Sequence, residues 1–191
     1  MVNRKQHGKE ELDAFFDLGK RHNILFKLDM ILGLPAETID SYLDGLDRIM
    51  SYVEDTDHFL QPAFLQILPG SRLEGKCAEF GLKYFAESGF VRETPHLGEN
   101  ELLACARVTI LAYRILHSSL RIPFFGKARS HGVSKVELLK RIEHFLRDEP
   151  AGAKFFSKTD IPSLYRYSFE TWDVYRDIGE TLLQEILKTS V

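Results

Sequence analysis

The chain has 191 residues, 44% of them hydrophobic, and a formal net charge of -3. A chain this long can bury about 70% of the surface its unfolded form exposes, enough for one large domain or two small ones. The mild acidity excludes the basic excess that neutralises a nucleic-acid backbone, no apolar run approaches a membrane span, and the opening MVNRKQHGKEELD lacks the apolar centre of a signal peptide. The expectation is a cytoplasmic chain with neither nucleic acid nor membrane as its partner.

A first helix is predicted over residues 9–22, where Leu12, Phe15, Phe16 and Leu18 gather on one side and Glu10, Asp13, Lys20 and Arg21 on the other. The nearly continuous apolar run ILFKLDMIL, residues 24–32, is closed by Gly33 and Pro35 and suits a parallel strand covered on both faces. Ile39, Leu43, Leu46, Ile49, Met50 and Val53 then recur every three or four residues, predicting a helix capped by Thr38 with Asp40 in its first turn. A second strand follows within HFLQPAFLQILPGSRL. Because Pro62 cannot donate to a central ladder, the strand is placed at residues 63–68, with an edge or a bulge as the other ways to accommodate the proline. Helix, strand, helix, strand is one crossover of a parallel α/β sheet.

Pro69 and Gly70 turn the chain into a short helix over residues 72–80 that stops at Gly81, and FVRETPHL is read as a short strand or an extended arm. From Glu99 onward the pattern is helical: residues 99–119, 134–147 and a long helix from Pro162 to about Lys188, capped by Asp160. This last segment carries Leu164, Phe169, Trp172, Tyr175, Ile178, Leu182 and Ile186 on one face. The expected organisation is α/β over residues 1–97 followed by an all-helical segment over residues 98–191.

A strand that ends in a glycine turn before a helix places free N–H groups at the carboxyl edge of a sheet, where ligands of parallel α/β folds bind. Gly33 permits close backbone approach and Pro35 stiffens the loop, while Glu37 at the helix start is suited to cap N–H groups or meet a ligand hydroxyl. Such a turn alone is a common feature of scaffolds that bind nothing. A second one lies downstream, in LQILPGSRLEGKCAEFGLKY.

Taken in order, DMILGLPAET, a helix, and LQILPGSRL followed by FGL resemble the last part of the radical S-adenosylmethionine barrel, most closely enzymes with an N-terminal cobalamin-binding domain such as the anaerobic magnesium-protoporphyrin monomethyl ester cyclases. The resemblance spans roughly residues 9–97. It implies the late strands and helices of a partial TIM-like barrel plus a helical extension. It also implies that Ile31 and Gly33 pack against the adenine of S-adenosylmethionine, and that the backbone from Ile67 through Leu68 to Gly70 reads the adenine edge. Gln61 and Gln66, on the second strand, are candidates to face the substrate, or else to make structural hydrogen bonds. Asp29 stands where the family has a glycine, and Ala36 where many relatives do.

The family's CxxxCxxC loop, which holds its iron-sulfur cluster, is not present in this sequence. S-adenosylmethionine, the iron-sulfur cluster and cobalamin are therefore implied for a full-length parent, none is expected on this chain, and no catalytic or metal-binding residue is assigned to it. The implied partner is the N-terminal half of that parent. Strands cut from a barrel expose sheet edges, so self-association through the open edge is a further expectation. The alternative is a non-catalytic binding or interaction module whose helical segment recruits a partner.

The other reactive side chains read as structural. Cys77 and Cys105 lack the short spacing of metal sites, and the seven histidines include no helical i, i+4 pair. Lys127, Arg129, His131 and Lys135 fall in FGKARSHGVSK, expected to be a glycine-containing loop that either grips an anion or is simply solvated.

Overall fold

A computed structural model describes residues 8–54 and 56–170. Helix α1 (Lys9–Arg21) carries Glu10 and Glu11 in its first turn and Lys20 and Arg21 in its last, each sign matched to the helix dipole. Its aromatic side fixes where the chain enters the sheet. Phe15 stacks on Phe26 at 4.3 Å between ring centroids, Phe16 stacks on Tyr52 at 4.0 Å, and His58 sits against both Phe16 and Phe26.

Strand β1 (Lys27–Leu32), helix α2 (Ile39–Val53) and strand β2 (Phe59–Phe64) form a parallel β-α-β unit, in register from Lys27 opposite Phe59 to Leu32 opposite Phe64. Thr38 caps α2 by accepting a hydrogen bond from the Ser41 N–H at 3.2 Å, as its position before the apolar run requires. One face of the sheet, with Met30, Leu32, Leu60 and Phe64, is buried in a core shared with Tyr42, Leu43, Leu46, Met50 and Val53 of α2. On the other face Asp29, Ile31, Gln61 and Ala63 are all at least partly exposed.

Strand β2 starts before Pro62, runs through it and ends at Phe64, so it shares only residues 63 and 64 with the expected segment at residues 63–68. The register explains this. Residues 59, 61 and 63 turn their backbone groups toward β1, so Pro62 points its ring nitrogen outward, where no ladder bond is lost. The stretch beyond β2 is instead paired antiparallel with a second sheet, β3 (Lys83–Tyr84) and β4 (Val91–Glu93), through the Gln66–Phe90 bridge. The helix expected at residues 72–80 contracts to one 3-10 turn, Glu74–Lys76, and Gly81 ends the segment with φ 61°.

Helix α3 (Glu99–Leu116) is buried almost all round, with Leu102, Ala106, Ile110, Leu111 and Ile115 at 1% exposure or less. It packs on β2, α2 and α5 (Lys135–Asp148), so the helical segment continues the core of the α/β segment. Between α3 and α5 the expected loop is a helix, α4 (Arg121–His131), ended by Gly132 at φ 62°. Pro123 and Gly126 lower its intrinsic helix propensity. Burial of Phe124, Phe125 and Ala128 overrides them, and Pro123 falls in the first turn where its missing N–H costs nothing.

Two further helices, α6 (Ala153–Phe156) and α7 (Ile161–Glu170), follow. Asp160 caps α7 as expected, its carboxylate accepting from the Ser163 N–H at 2.7 Å. Trp172, Tyr175, Ile178, Leu182 and Ile186 lie outside the described residues. Among the described residues no helix is long and apolar enough to cross a membrane.

Candidate functional site

The two glycine turns lie beyond the ends of β1 and β2 and are built alike. Gly33 has φ 99° and Gly70 φ 77°, conformations that side chains with a Cβ rarely adopt. The Gly33 N–H donates to Glu37 Oε2 at 2.9 Å, and the Gly70 N–H donates to Glu74 Oε2 at 2.7 Å. Each turn thus closes on a carboxylate four residues downstream. The repeated spacing, GLPAE and GSRLE, is visible in the sequence, but the pairing is not, because it depends on a positive φ at each glycine.

This arrangement decides what the turns can take. A carboxylate already fills the donor that a phosphate would use, and it would repel a second anion. An uncharged heterocycle edge or a hydroxyl is compatible; a phosphate is not. Burial raises the Glu37 pKa above its ordinary value of 4.5, while the Gly33 and Leu34 N–H groups pull it back down.

Of the residues singled out from sequence, Ile31 lies partly exposed on the bare sheet face, opposite Ala63 in the ladder. Gly33 is buried, with room for a Cβ only at ordinary contact distance from Leu65 and Val91. Ile67 is 3% exposed, and its N–H donates to Gly89 O at 2.7 Å. Leu68 is exposed, and its carbonyl accepts from the Ser71 N–H. Within Ile67 to Gly70, with Pro69 lacking an N–H and those of Ile67 and Gly70 engaged, the Leu68 N–H is the donor left over among the described residues.

Gln61 shares the bare face, directly opposite Asp29, and its amide donates locally to Pro62 O at 3.3 Å. Gln66 points elsewhere, donating to Ser88 O and holding the Ser88–Gly89 turn against the chain. The two glutamines therefore do not converge.

The basic residues near α4 serve the end of α2. Arg129 and Lys135 both meet Glu54, Lys135 donates to Ser51 Oγ at 2.8 Å, and the Arg121 guanidinium donates to the carbonyls of Val53, Glu54 and Thr56. Cations at a helix C-terminus meet the negative end of its dipole. Of the cluster singled out from sequence, Arg129 and Lys135 thus grip the protein's own Glu54 carboxylate.

Two histidines are also absorbed into the fold. The His117 Nε2–H donates to Leu60 O at 3.0 Å while its ring stacks on Phe59 at 4.1 Å, and His58 Nδ1 accepts from the Phe26 N–H at 3.3 Å. Burial lowers both pKa values; Arg121 lowers both further, against an opposing pull from Asp57 on His58 and from the Leu60 carbonyl on His117.

The described residues thus define a mixed α/β protein in which a two-stranded parallel sheet offers one bare face and two carboxylate-closed turns. No protein-family model matches the chain, and no curated protein matches it.

Proposed function

We propose that this chain is the C-terminal part of a radical S-adenosylmethionine enzyme of the cobalamin-dependent type, forming the adenosine-side wall of the cofactor site and part of the substrate cavity. The observation that carries the reading is the parallel β1-α2-β2 unit, whose strands lead into the Gly33 and Gly70 turns beside a sheet face bearing Ile31 and Gln61. An apolar wall at Ile31, a glycine turn closed to anions and the spare Leu68 N–H suit adenosine, which is uncharged and presents hydrogen-bonding ring nitrogens.

The cluster does not fit these residues. Cys77 and Cys105 are buried and held as thiols: burial raises both, Cys105 to about 11, and the Cys77 thiol donates to Leu73 O at 3.3 Å. Cluster ligands are thiolates. Under this reading the iron-sulfur cluster, the cobalamin and the remaining barrel strands belong to the parent's N-terminal half, and this chain supplies binding and orientation only.

Calorimetric titration with S-adenosylmethionine tests the reading. The wild-type chain should bind weakly and saturably, and Gly33→Val and Ile31→Gln should abolish binding. Because Gly33→Val also strains the backbone, Ile31→Gln, at a partly exposed position, separates a lost contact from a lost fold. Absence of binding to the wild type, or unchanged binding in Ile31→Gln, would refute it.

A further inference from the structure

The sheet has two edges, and the protein treats them differently. On the β2 side, Pro62 offers no N–H, Leu60 O is taken by His117, and the chain beyond Phe64 is paired with β4. On the β1 side, the parallel register directs the backbone groups of Lys27, Asp29 and Ile31 outward. Among the described residues none of these groups has a hydrogen-bond partner. No proline or bulge interrupts this edge, and a two-stranded sheet gains stability by adding strands.

The side chains along the edge say what kind of strand it takes. Lys27 and Asp29 project from the bare face, more than half exposed, 3.4 Å apart. Edge charges ordinarily discourage pairing, but this pair is complementary to itself when reversed.

We propose that a second copy of this chain pairs its β1 antiparallel with this edge, across a two-fold axis, in the register that sets Lys27 opposite the partner's Asp29 and Asp29 opposite the partner's Lys27. Outward-facing backbone groups must meet outward-facing groups, so the neighbouring registers are few, and each fails. One sets Asp29 against the partner's Asp29, another Lys27 against the partner's Lys27, and a third requires the Gly33 N–H, which Glu37 already holds. In the favoured register the four charges alternate in sign on one face, and Ile31 meets the partner's Leu25. Leu25 is 64% exposed, and Phe15, Leu18 and Ile24 are each nearly half exposed around the entry to β1, an apolar border suited to burial beside such a seam. The product is a four-stranded sheet in the order β2-β1-β1-β2.

The inference rests on the edge and not on the cofactor reading. In the barrel proposed above the preceding strand would take this edge; in this chain a second copy takes it. Sedimentation equilibrium on the wild-type chain and on Lys27→Asp and Asp29→Lys, with circular dichroism to confirm folding, tests it. The wild type should be a dimer, and each variant should dissociate at least tenfold more readily, because like charges then face each other. An equimolar mixture of the two variants should recover the dimer, since every Asp again meets a Lys. A monomeric wild type, variants as dimeric as the wild type, or a mixture that stays monomeric would each overturn the proposal. A monomer that binds S-adenosylmethionine would overturn it while leaving the cofactor reading intact.

Discussion

The contact between Tyr42 on α2 and Thr109 on α3 offers a quantitative test of how the helical segment is joined to the α/β segment. The two hydroxyls lie 2.8 Å apart at a fully buried position. Thr109 has one hydroxyl proton and donates it to Cys105 O at 2.8 Å, so Tyr42 must be the donor to Thr109. The two deletions are therefore unequal. Tyr42→Phe removes a donor and leaves Thr109 bonded to its own helix, which should cost about 1 kcal/mol. Thr109→Val keeps the volume but strands the Tyr42 hydroxyl in the core, which should cost about 2 kcal/mol and at most ~3 kcal/mol. For a chain of this size, about 1 kcal/mol corresponds to a Tm decrease of roughly 2–4 °C.

The double variant carries the sharper prediction. Once Tyr42 is phenylalanine nothing is left unsatisfied, so the pair of substitutions should cost no more than Thr109→Val alone. Urea denaturation followed by circular dichroism, with equal m values across the four proteins, measures the cycle. Additive costs, or a Thr109→Val variant more stable than Tyr42→Phe, would refute the assigned direction of the hydrogen bond.

Acid should destabilise the protein through its lowered histidines. His58 and His117 stay neutral in the fold below the ordinary value of 6.5, whereas the unfolded chain protonates there, so stability is lost as pH falls from about 6.5 toward the depressed values. His117→Gln, which retains an N–H for Leu60 O, should flatten the slope of urea midpoint against pH in that window; an unchanged slope would exclude His117. Glu37 works in the opposite sense. Its raised pKa means that stability falls as pH rises from the ordinary 4.5 through the folded value, so Glu37→Gln should gain on the wild type across that interval and hold its advantage above it. Gly33→Ala should cost about 1–2 kcal/mol from backbone conformation alone, since its Cβ would meet Leu65 at an ordinary 3.5 Å. Gly89→Ala should cost more, about 2–4 kcal/mol, because a Cβ there collides with Ile67 O as well as adopting φ 74°; thermal unfolding of the two variants side by side checks the order.

The sequence by itself determined the elements whose signals are local. The apolar spacing from Ile39 to Val53, the Thr38 and Asp160 caps, and the short apolar run before Gly33 specify α2, its cap, the start of α7, and β1 without reference to anything distant. The parallel pairing of β1 and β2 was also legible, because a helix between two apolar runs admits few other connections. What tertiary structure decided were the places where two distant parts settle a local ambiguity. Pro62 belongs inside β2 because β1 occupies the other edge, and α4 forms across Pro123 and Gly126 because the core takes Phe124 and Phe125. The same holds at the site. Gly33, Ile31 and Gln61 could be named from sequence, yet the carboxylate that closes each turn and the partnerless edge at Lys27, Asp29 and Ile31 follow from φ angles and strand register. Those are set by packing, and one residue's shift in register would have exchanged the buried and bare faces of the sheet.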